Sequence, residues 1–115
     1  KKQEINRAPI IENIAYVRNK EFDRPEYIKN DKNKTNNFLI VSDMIQNSKI
    51  YNRYIEEKNF EDIYSIMPIN LFGINVRVLQ IINPKYRKYQ NAELATWWRK
   101  YFAKAKGPAK IWSKL

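Results

Sequence analysis

Cations and aromatic rings alternate over a short stretch in the last third of the chain. Residues 85–89 read Lys-Tyr-Arg-Lys-Tyr. Cationic side chains bind phosphate with release of its counterions, and exposed rings stack on bases at about 1–3 kcal/mol per base. The pattern therefore predicts contacts with a nucleic acid. The full set of predicted binding residues is Arg77, Lys85, Tyr86, Arg87, Lys88, Tyr89, Arg99, Lys100, Lys104, Lys106, Lys110 and Trp112.

Positive charge is concentrated in the same third of the chain. Residues 76–115 contain ten basic side chains and one acid, Glu93, for a net charge of +9. Residues 1–75 contain 12 basic and 11 acidic side chains, so they are nearly neutral. Such an excess on one segment favours an anionic partner, which is a nucleic acid, an anionic membrane or an acidic protein. DNA and RNA, single-stranded and double-stranded, all fit the pattern.

The composition excludes most catalytic chemistry. The chain has no cysteine and no histidine, which removes the usual zinc sites and the Ser-His and Cys-His nucleophiles. It has two glycines, so no glycine-rich loop can cradle a nucleotide phosphate. We therefore expect no enzyme activity, no cofactor, no metal and no small-molecule substrate.

Carboxylates offer the one remaining route to catalysis, as ligands of a metal-dependent nuclease. The candidate acids are Glu56, Glu57, Glu61 and Asp62. Acidic runs are common on helix surfaces, and acids in a first helical turn are favoured by the helix dipole. We expect these side chains to have that structural role.

The segment 31–42 begins like a calcium-binding loop but lacks the residues that such a loop requires at its sixth and twelfth positions. Asp31, Asn33 and Thr35 have the alternating spacing of such a loop. Its sixth position is Asn36 instead of glycine, and its twelfth is Ser42 instead of glutamate. We expect no calcium site there.

The first half of the chain is expected to form helices joined by a polar segment. Residues 1–8 are polar and predict a loose arm, and apolar spacing after it predicts a helix over 9–20. The charged segment 19–37 predicts a loop. Helical apolar spacing predicts a long helix over 38–58 and a short one over 60–67, the latter capped by Asn59.

The second half begins with a candidate strand and ends in an amphipathic helix. Alternation over 74–82 predicts a strand after a turn at Phe72-Gly73, with a buried helix end as the competing interpretation. Asn91 predicts the start of a helix over 92–106, and one more helical turn is expected over 109–115. The helical spacing of the large rings Trp97, Trp98, Tyr101 and Phe102 predicts core positions. Tyr86, Tyr89 and Trp112, nearer to segment ends, are expected to be exposed.

The same amphipathic helix allows a membrane-surface interpretation, with rings in the lipid and cations on the headgroups. A domain of this size needs those rings for its own core, so we disfavour this alternative. No apolar run approaches the roughly 18 residues that a transmembrane helix needs. No secretory signal is visible. The expected location is therefore the cytoplasm or a virion.

Together these features predict a single, mainly α-helical domain spanning 1–115, or an α+β fold if residues 72–82 form a short strand or hairpin. Residues 9–75 would be the near-neutral scaffold, and 76–115 the basic aromatic segment. Lys, Asn, Ile and Tyr make up 53 of the 115 residues and have A/T-rich codons, which indicates an AT-rich genome, that of a phage or other virus, a low-GC bacterium or a eukaryote of that bias. The leading prediction is a non-catalytic nucleic-acid-binding protein. The alternative is a structural or adaptor subunit of a viral or ribonucleoprotein assembly that docks through the same basic surface.

Overall fold

A computed structural model describes residues 8–22 and 36–114 of the chain. Its elements in chain order are helix α1 (Ile10–Glu21), strand β1 (Asn36–Ser42), helix α2 (Phe60–Ile66), strand β2 (Ile74–Gln80), a 3₁₀ helix (Pro84–Tyr89), helix α3 (Ala92–Lys104) and strand β3 (Ala109–Lys114). The strands form one parallel sheet in the order β1-β2-β3. The architecture is α/β, so both the mainly α-helical expectation and the single-hairpin α+β alternative are wrong.

Strand β1 lies at the start of the stretch for which the sequence predicts a helix over 38–58. Residues 38–41 are four consecutive apolar side chains, with Phe38 and Ile40 on one face of the strand and Leu39 and Val41 on the other. Such a run fits a strand of a parallel sheet as well as it fits a helical stripe. Pairing with β2, far along the chain, decides between the two structures.

The remainder of that predicted helix, residues 43–58, is irregular in the structure. Met44 has a backbone φ of 66°, in the left-handed region, which a right-handed helix cannot contain. The backbone N–H of Met44 donates to the Ser42 hydroxyl, and that of Ile45 donates to the Asp43 carboxylate, both at 2.9 Å. Local bonds of this kind compete with the bonding pattern of a helix.

Strand β3 replaces the helical turn that the sequence predicts over 109–115. It pairs in parallel with β2, with an irregularity between Val76 and Arg77. Trp112 lies beside Val78, and its indole N–H donates to the Gln80 carboxamide oxygen at 3.1 Å. The partner that makes this segment a strand lies in β2, so the local sequence alone does not reveal it.

The other predicted helices are confirmed to within a few residues. Helices α1, α2 and α3 correspond to the predicted helices over 9–20, 60–67 and 92–106. The predicted caps are also present. The Asn59 side chain accepts a bond from the Glu61 backbone N–H at 2.7 Å, and the Asn91 side chain accepts one from the Leu94 backbone N–H at 2.9 Å.

Strand β2 confirms the predicted strand and excludes the competing helix end. It lies in the centre of the sheet, between two parallel neighbours, and does not belong to a hairpin. Along it, Ile74, Val76, Val78 and Gln80 are buried, while Arg77 between them is exposed. One face of the sheet is therefore covered and the other is open.

Connectivity explains the open face. Parallel connections are almost always right-handed, so in a sheet of order 1-2-3 both connections pass over the same face. The burial pattern of β2 agrees with this arrangement. The helices of the two connections, α2 and α3, also pack against each other.

Helix α3 organises the core on the covered face. Trp98, Tyr101 and Phe102 are fully buried, so their predicted core role is confirmed. Ring donors of α3 bind backbone carbonyls of the β1–β2 connection: Trp97 bonds to Lys58 at 2.7 Å, Trp98 to Met44 at 2.7 Å, and Tyr101 to Met67. The bonds to Lys58 and Met44 fix the irregular segment 43–58 against α3, and the bond to Met67 fixes the end of α2.

Some predictions lie outside the described residues. They are the loose arm over 1–7, the part of the polar loop over 23–35, and the first five positions of the calcium-like pattern. The remaining arm residue, Ala8, bridges to Asn47 through backbone bonds of 3.0 and 2.9 Å. Asn36 and Ser42, the sixth and twelfth positions of that pattern, are the first and last residues of β1.

Candidate nucleic-acid interface

The ten basic side chains of residues 76–114 are all exposed. None of them forms an ion pair with a carboxylate of the described residues; the ion pairs present there join Arg53 to Glu57 and Lys58 to Glu56. A cation that is already exposed and unpaired is free to exchange its counterions for a phosphate. The segment therefore presents its positive charge to solvent, as an electrostatic binding surface requires.

A cleft of about 460 Å³ separates the 53–60 segment from the start of α3. Its lining residues are Arg53, Glu57, Lys58, Asn59, Phe60, Ala92, Glu93, Thr96, Trp97 and Lys100. The bond from the Trp97 indole to the Lys58 carbonyl joins the two walls. The cleft is thus a fixed feature of the fold, with cations on both sides.

A second depression continues the cleft toward the 3₁₀ helix. It is lined by Arg53, Glu57, Lys88, Tyr89 and Asn91, so Arg53 and Glu57 border both depressions. The Lys88 ammonium lies 5.3 Å from the centre of the Tyr89 ring. The two depressions therefore form one continuous surface from the 3₁₀ helix to α3.

The outer face of α3 extends this surface by a further turn. The Lys100 ammonium lies 6.0 Å from the centre of the Phe60 ring, and that of Lys104 lies 5.8 Å from the centre of the Tyr64 ring. Residues four apart are neighbours on a helix face, so the two lysines lie in sequence along α3. We call the surface formed by Lys88, Lys58, Lys100 and Lys104 the basic track.

Three carboxylates limit the positive potential of the track, and one of them, Glu56, pairs with Lys58 of the track itself at 3.6 Å. Glu57 pairs with the nearly buried Arg53 at 3.5 Å, which leaves this pair close to neutral. Arg53 also bonds to the Tyr51 hydroxyl at 3.3 Å, so it forms part of the wall and is not an exposed cation. Glu93 is exposed inside the cleft and would repel a phosphate there.

The tyrosines of the 3₁₀ helix pack against the body of the protein. Tyr86 and Tyr89 are half-buried, each with its ring centre 4.9 Å from that of Tyr54 in an edge-on arrangement. Burial, the nearby Asp43 carboxylate and the two neighbouring phenols together raise the pKa of Tyr54 to about 12. Only part of each of the two outer rings remains open to a base.

Trp112 is also half-buried, on the covered face of the sheet. Its ring lies 5.5 Å from the Arg99 guanidinium, which joins β3 to α3 through a cation–π contact. The sequence predicts an exposed ring at Trp112, whereas the structure gives it neighbours on both strand and helix.

The remaining predicted residues do not line either depression. Arg77 is on the open face of the sheet, and Lys110 is on the edge strand β3. Lys106 follows α3 with a φ of 69°, and Lys85 and Arg87 are exposed on the 3₁₀ helix. Of the twelve predicted residues, the structure brings Lys88, Tyr89, Lys100 and Lys104 onto one surface.

Sequence reasoning missed the opposite wall of the cleft, which includes Lys58, Asn59 and Phe60. The sequence identifies Asn59 and Phe60 as the start of a helix. It does not predict that this helix start lies opposite α3 across the cleft. The contact joins residues nearly forty positions apart and is set by the packing of Trp97. No local pattern encodes it.

The candidate metal-binding acids have structural roles. Glu56 and Glu57 pair with Lys58 and Arg53, and Glu61 and Asp62 lie in the first turn of α2. The described ranges contain no cluster of three acidic or other metal-binding side chains that could hold an ion.

Within the same ranges, every helix is too short or too polar to cross a bilayer. Comparisons of the chain with protein-family models, curated proteins and solved structures find no match.

Proposed function

We propose that this protein binds nucleic acid without catalysis, through phosphate contacts along the basic track. The observation that carries the proposal is the grouping on one surface of three of the ten exposed cations of residues 76–114, Lys88, Lys100 and Lys104, none of which has a carboxylate partner in the described part of the chain. The basic track has four lysines. Three of them, Lys88, Lys100 and Lys104, belong to the ten basic side chains of residues 76–114, and the fourth is Lys58.

Phosphate contacts contribute more than base stacking in this proposal. Tyr89 offers an exposed part of its ring beside Lys88, at the end of the track. A partly exposed ring can stack on an unpaired base but not on a base inside a duplex, so single-stranded nucleic acid is the favoured ligand. The large rings of α3 are occupied in the core, which also argues against their insertion into lipid. A protein of this kind would act in the cytoplasm or in a virion.

The test is binding of fluorescent single-stranded and double-stranded DNA and RNA, measured by anisotropy. The track variant is Lys88→Gln/Lys100→Gln/Lys104→Gln. Its control is Arg77→Gln/Lys110→Gln/Lys114→Gln, which removes the same charge from the strands. We expect the track variant to lose at least about tenfold in affinity and the control to lose about two- to threefold through its lower net charge. Equal losses would refute a localised track, and absence of binding by the wild type would refute the function.

A second candidate function is a structural or adaptor subunit of a larger assembly. One observation favours it: the open face of the sheet exposes apolar side chains that a protein partner could cover. A subunit of this kind requires its protein partner and buries apolar area, whereas a nucleic-acid binder acts alone and loses affinity steeply with salt. The anisotropy experiment separates the two.

A further inference from the structure

The open face of the sheet is apolar around a single cation. The exposed fractions of Leu39, Val41 and Ile111 are 58%, 54% and 45%. Leu39 and Ile111 flank Arg77 in one row across the three strands, and in the next row Val41 lies beside Leu79. These side chains form what we call the open-face patch.

A parallel sheet normally has both faces covered, because its crossover helices pack on them. Here both crossover connections pass over the same face of the sheet. The apolar side chains on the opposite face therefore stay in contact with water. Contiguous apolar surface of this kind commonly marks an interaction site. The patch lies on the opposite side of the sheet from the helices that build the basic track.

We propose that the open-face patch binds an acidic amphipathic helix of another protein. Three strands spaced about 4.8 Å apart span about 10 Å between the outer two, which matches the diameter of one helix. Strands of seven residues extend about 23 Å, enough for a helix of about 15 residues. Such a helix would complete the sheet as crossover helices do in other α/β proteins.

Arg77 determines the charge of the partner. Its side chain is exposed in the middle of the patch and forms no ion pair within the described residues. Covering a guanidinium without a carboxylate is costly, so the occupant must supply an acid. An acidic residue on the rim of an apolar helix stripe would pair with Arg77 while the stripe covers Leu39 and Ile111.

The same charge disfavours a second copy of this chain as the occupant. The three strands carry no aspartate and no glutamate. In a two-fold contact, the same surface is offered by both subunits. A copy would therefore bring a second Arg77 to the interface and no carboxylate to pair with either one.

The stretches of chain outside the described residues are also poor candidates. Their apolar side chains are Ile5, Tyr27, Ile28 and Leu115. These positions provide no set at the i, i+3, i+4, i+7 spacing that a covering helix needs. These stretches therefore do not supply the covering helix.

The experiment uses two fluorescein-labelled synthetic helices of about 18 residues. Both have leucine at positions i, i+3, i+4 and i+7; one has glutamate at the polar positions, and the other has lysine. Anisotropy is measured at about 150 mM salt, where screening weakens non-specific attraction to the basic chain. The test variant Leu39→Thr/Val41→Thr keeps the charge and the strand propensity. Its control, Ile55→Thr/Ile66→Thr, removes two apolar side chains elsewhere that are at least as exposed.

We expect the acidic helix to bind wild type at least about tenfold more tightly than the lysine helix. We expect Leu39→Thr/Val41→Thr to lose at least about tenfold, the control to bind like wild type, and Arg77→Gln to lose about fivefold. Undiminished binding by Leu39→Thr/Val41→Thr would place the peptide on the basic track and overturn the proposal. Absence of binding, or equal affinity for both helices, would also overturn it. Light scattering that shows a dimer dissociated by Leu39→Thr/Val41→Thr would identify a second copy as the occupant instead.

Discussion

Replacement of Gln90 by leucine tests how the 3₁₀ helix that carries Lys88 is held in place. Gln90 is 9% exposed and lies between the end of the 3₁₀ helix and the start of α3. Its side-chain N–H groups donate to the carbonyls of Asp43 at 3.0 Å and Ile81 at 2.7 Å, and its side-chain oxygen accepts from the Asn83 N–H at 2.8 Å. The residue thus joins the carboxyl ends of β1 and β2 to the basic segment.

The expected cost follows from the groups that Gln90→Leu leaves without a partner. Asp43 retains a donor to its carbonyl, the Gln80 side chain at 3.2 Å. The Ile81 carbonyl and the Asn83 N–H lose their bonds to Gln90. At about 1–2 kcal/mol for each such partly buried group, we expect the free energy of unfolding to fall by about 2–4 kcal/mol.

Urea denaturation followed by tryptophan fluorescence measures this change. With a slope of about 2 kcal/mol per molar, the midpoint should fall by about 1–2 M. The control is Lys85→Leu, an exposed position on the same 3₁₀ helix, where we expect a change within about 0.5 kcal/mol. A loss below about 1 kcal/mol for Gln90→Leu would show that these backbone groups are not buried, and would refute the reasoning.

Three further predictions concern packing, titration and charge. Gly107→Ala should lower the free energy of unfolding by about 1–3 kcal/mol in the same urea assay, because a methyl group there would lie 2.5 Å from the Leu71 Cβ; an unchanged midpoint would contradict this packing. The pKa of Tyr54 is raised from an ordinary 10 to about 12, so the unfolded chain loses this phenol proton at a lower pH than the folded protein does. The contribution of the protonated Tyr54 to the free energy of unfolding should therefore be complete below pH 10 and be lost as the pH rises to about 12. The difference between wild type and Tyr54→Phe in phenolate absorbance should have its midpoint near pH 12, and a midpoint near 10 would contradict the burial. Glu93→Gln should strengthen nucleic-acid binding about two- to fivefold by anisotropy, because it removes a carboxylate from the cleft; unchanged affinity would mean that phosphates do not cross the cleft.

The sequence predicts helices better than it predicts strands in this protein, for a physical reason. The helices α2 and α3 carry their own caps, Asn59 and Asn91, and their own apolar spacing, so local sequence defines them. The edge strands β1 and β3 exist because β2 lies between them, and their pairing joins distant parts of the chain. The central strand β2 is predictable because one of its faces is covered and the other open, which produces alternation.

The candidate interface is predictable in its charge but not in its shape. The excess of cations over residues 76–115 predicts an anionic partner, and it includes Lys88, Lys100 and Lys104 among the candidate binding residues. Their grouping with Lys58 depends on the bond from Trp97 to a carbonyl in an irregular segment. Helical spacing identifies Trp97 as a core position, but no sequence pattern identifies its acceptor, because the Lys58 carbonyl lies in a segment without repeating local structure.

The salt dependence of single-stranded nucleic-acid binding is the most direct test of the basic track. The logarithm of the binding constant should fall linearly with the logarithm of salt concentration, by about 0.7 for each phosphate contacted. Lys88→Gln/Lys100→Gln/Lys104→Gln should make the slope shallower by about 2, whereas Arg77→Gln/Lys110→Gln/Lys114→Gln should leave it unchanged within about 0.5. A slope that changes equally in both variants would contradict the account, because it would mean that the whole basic segment binds as a diffuse charge.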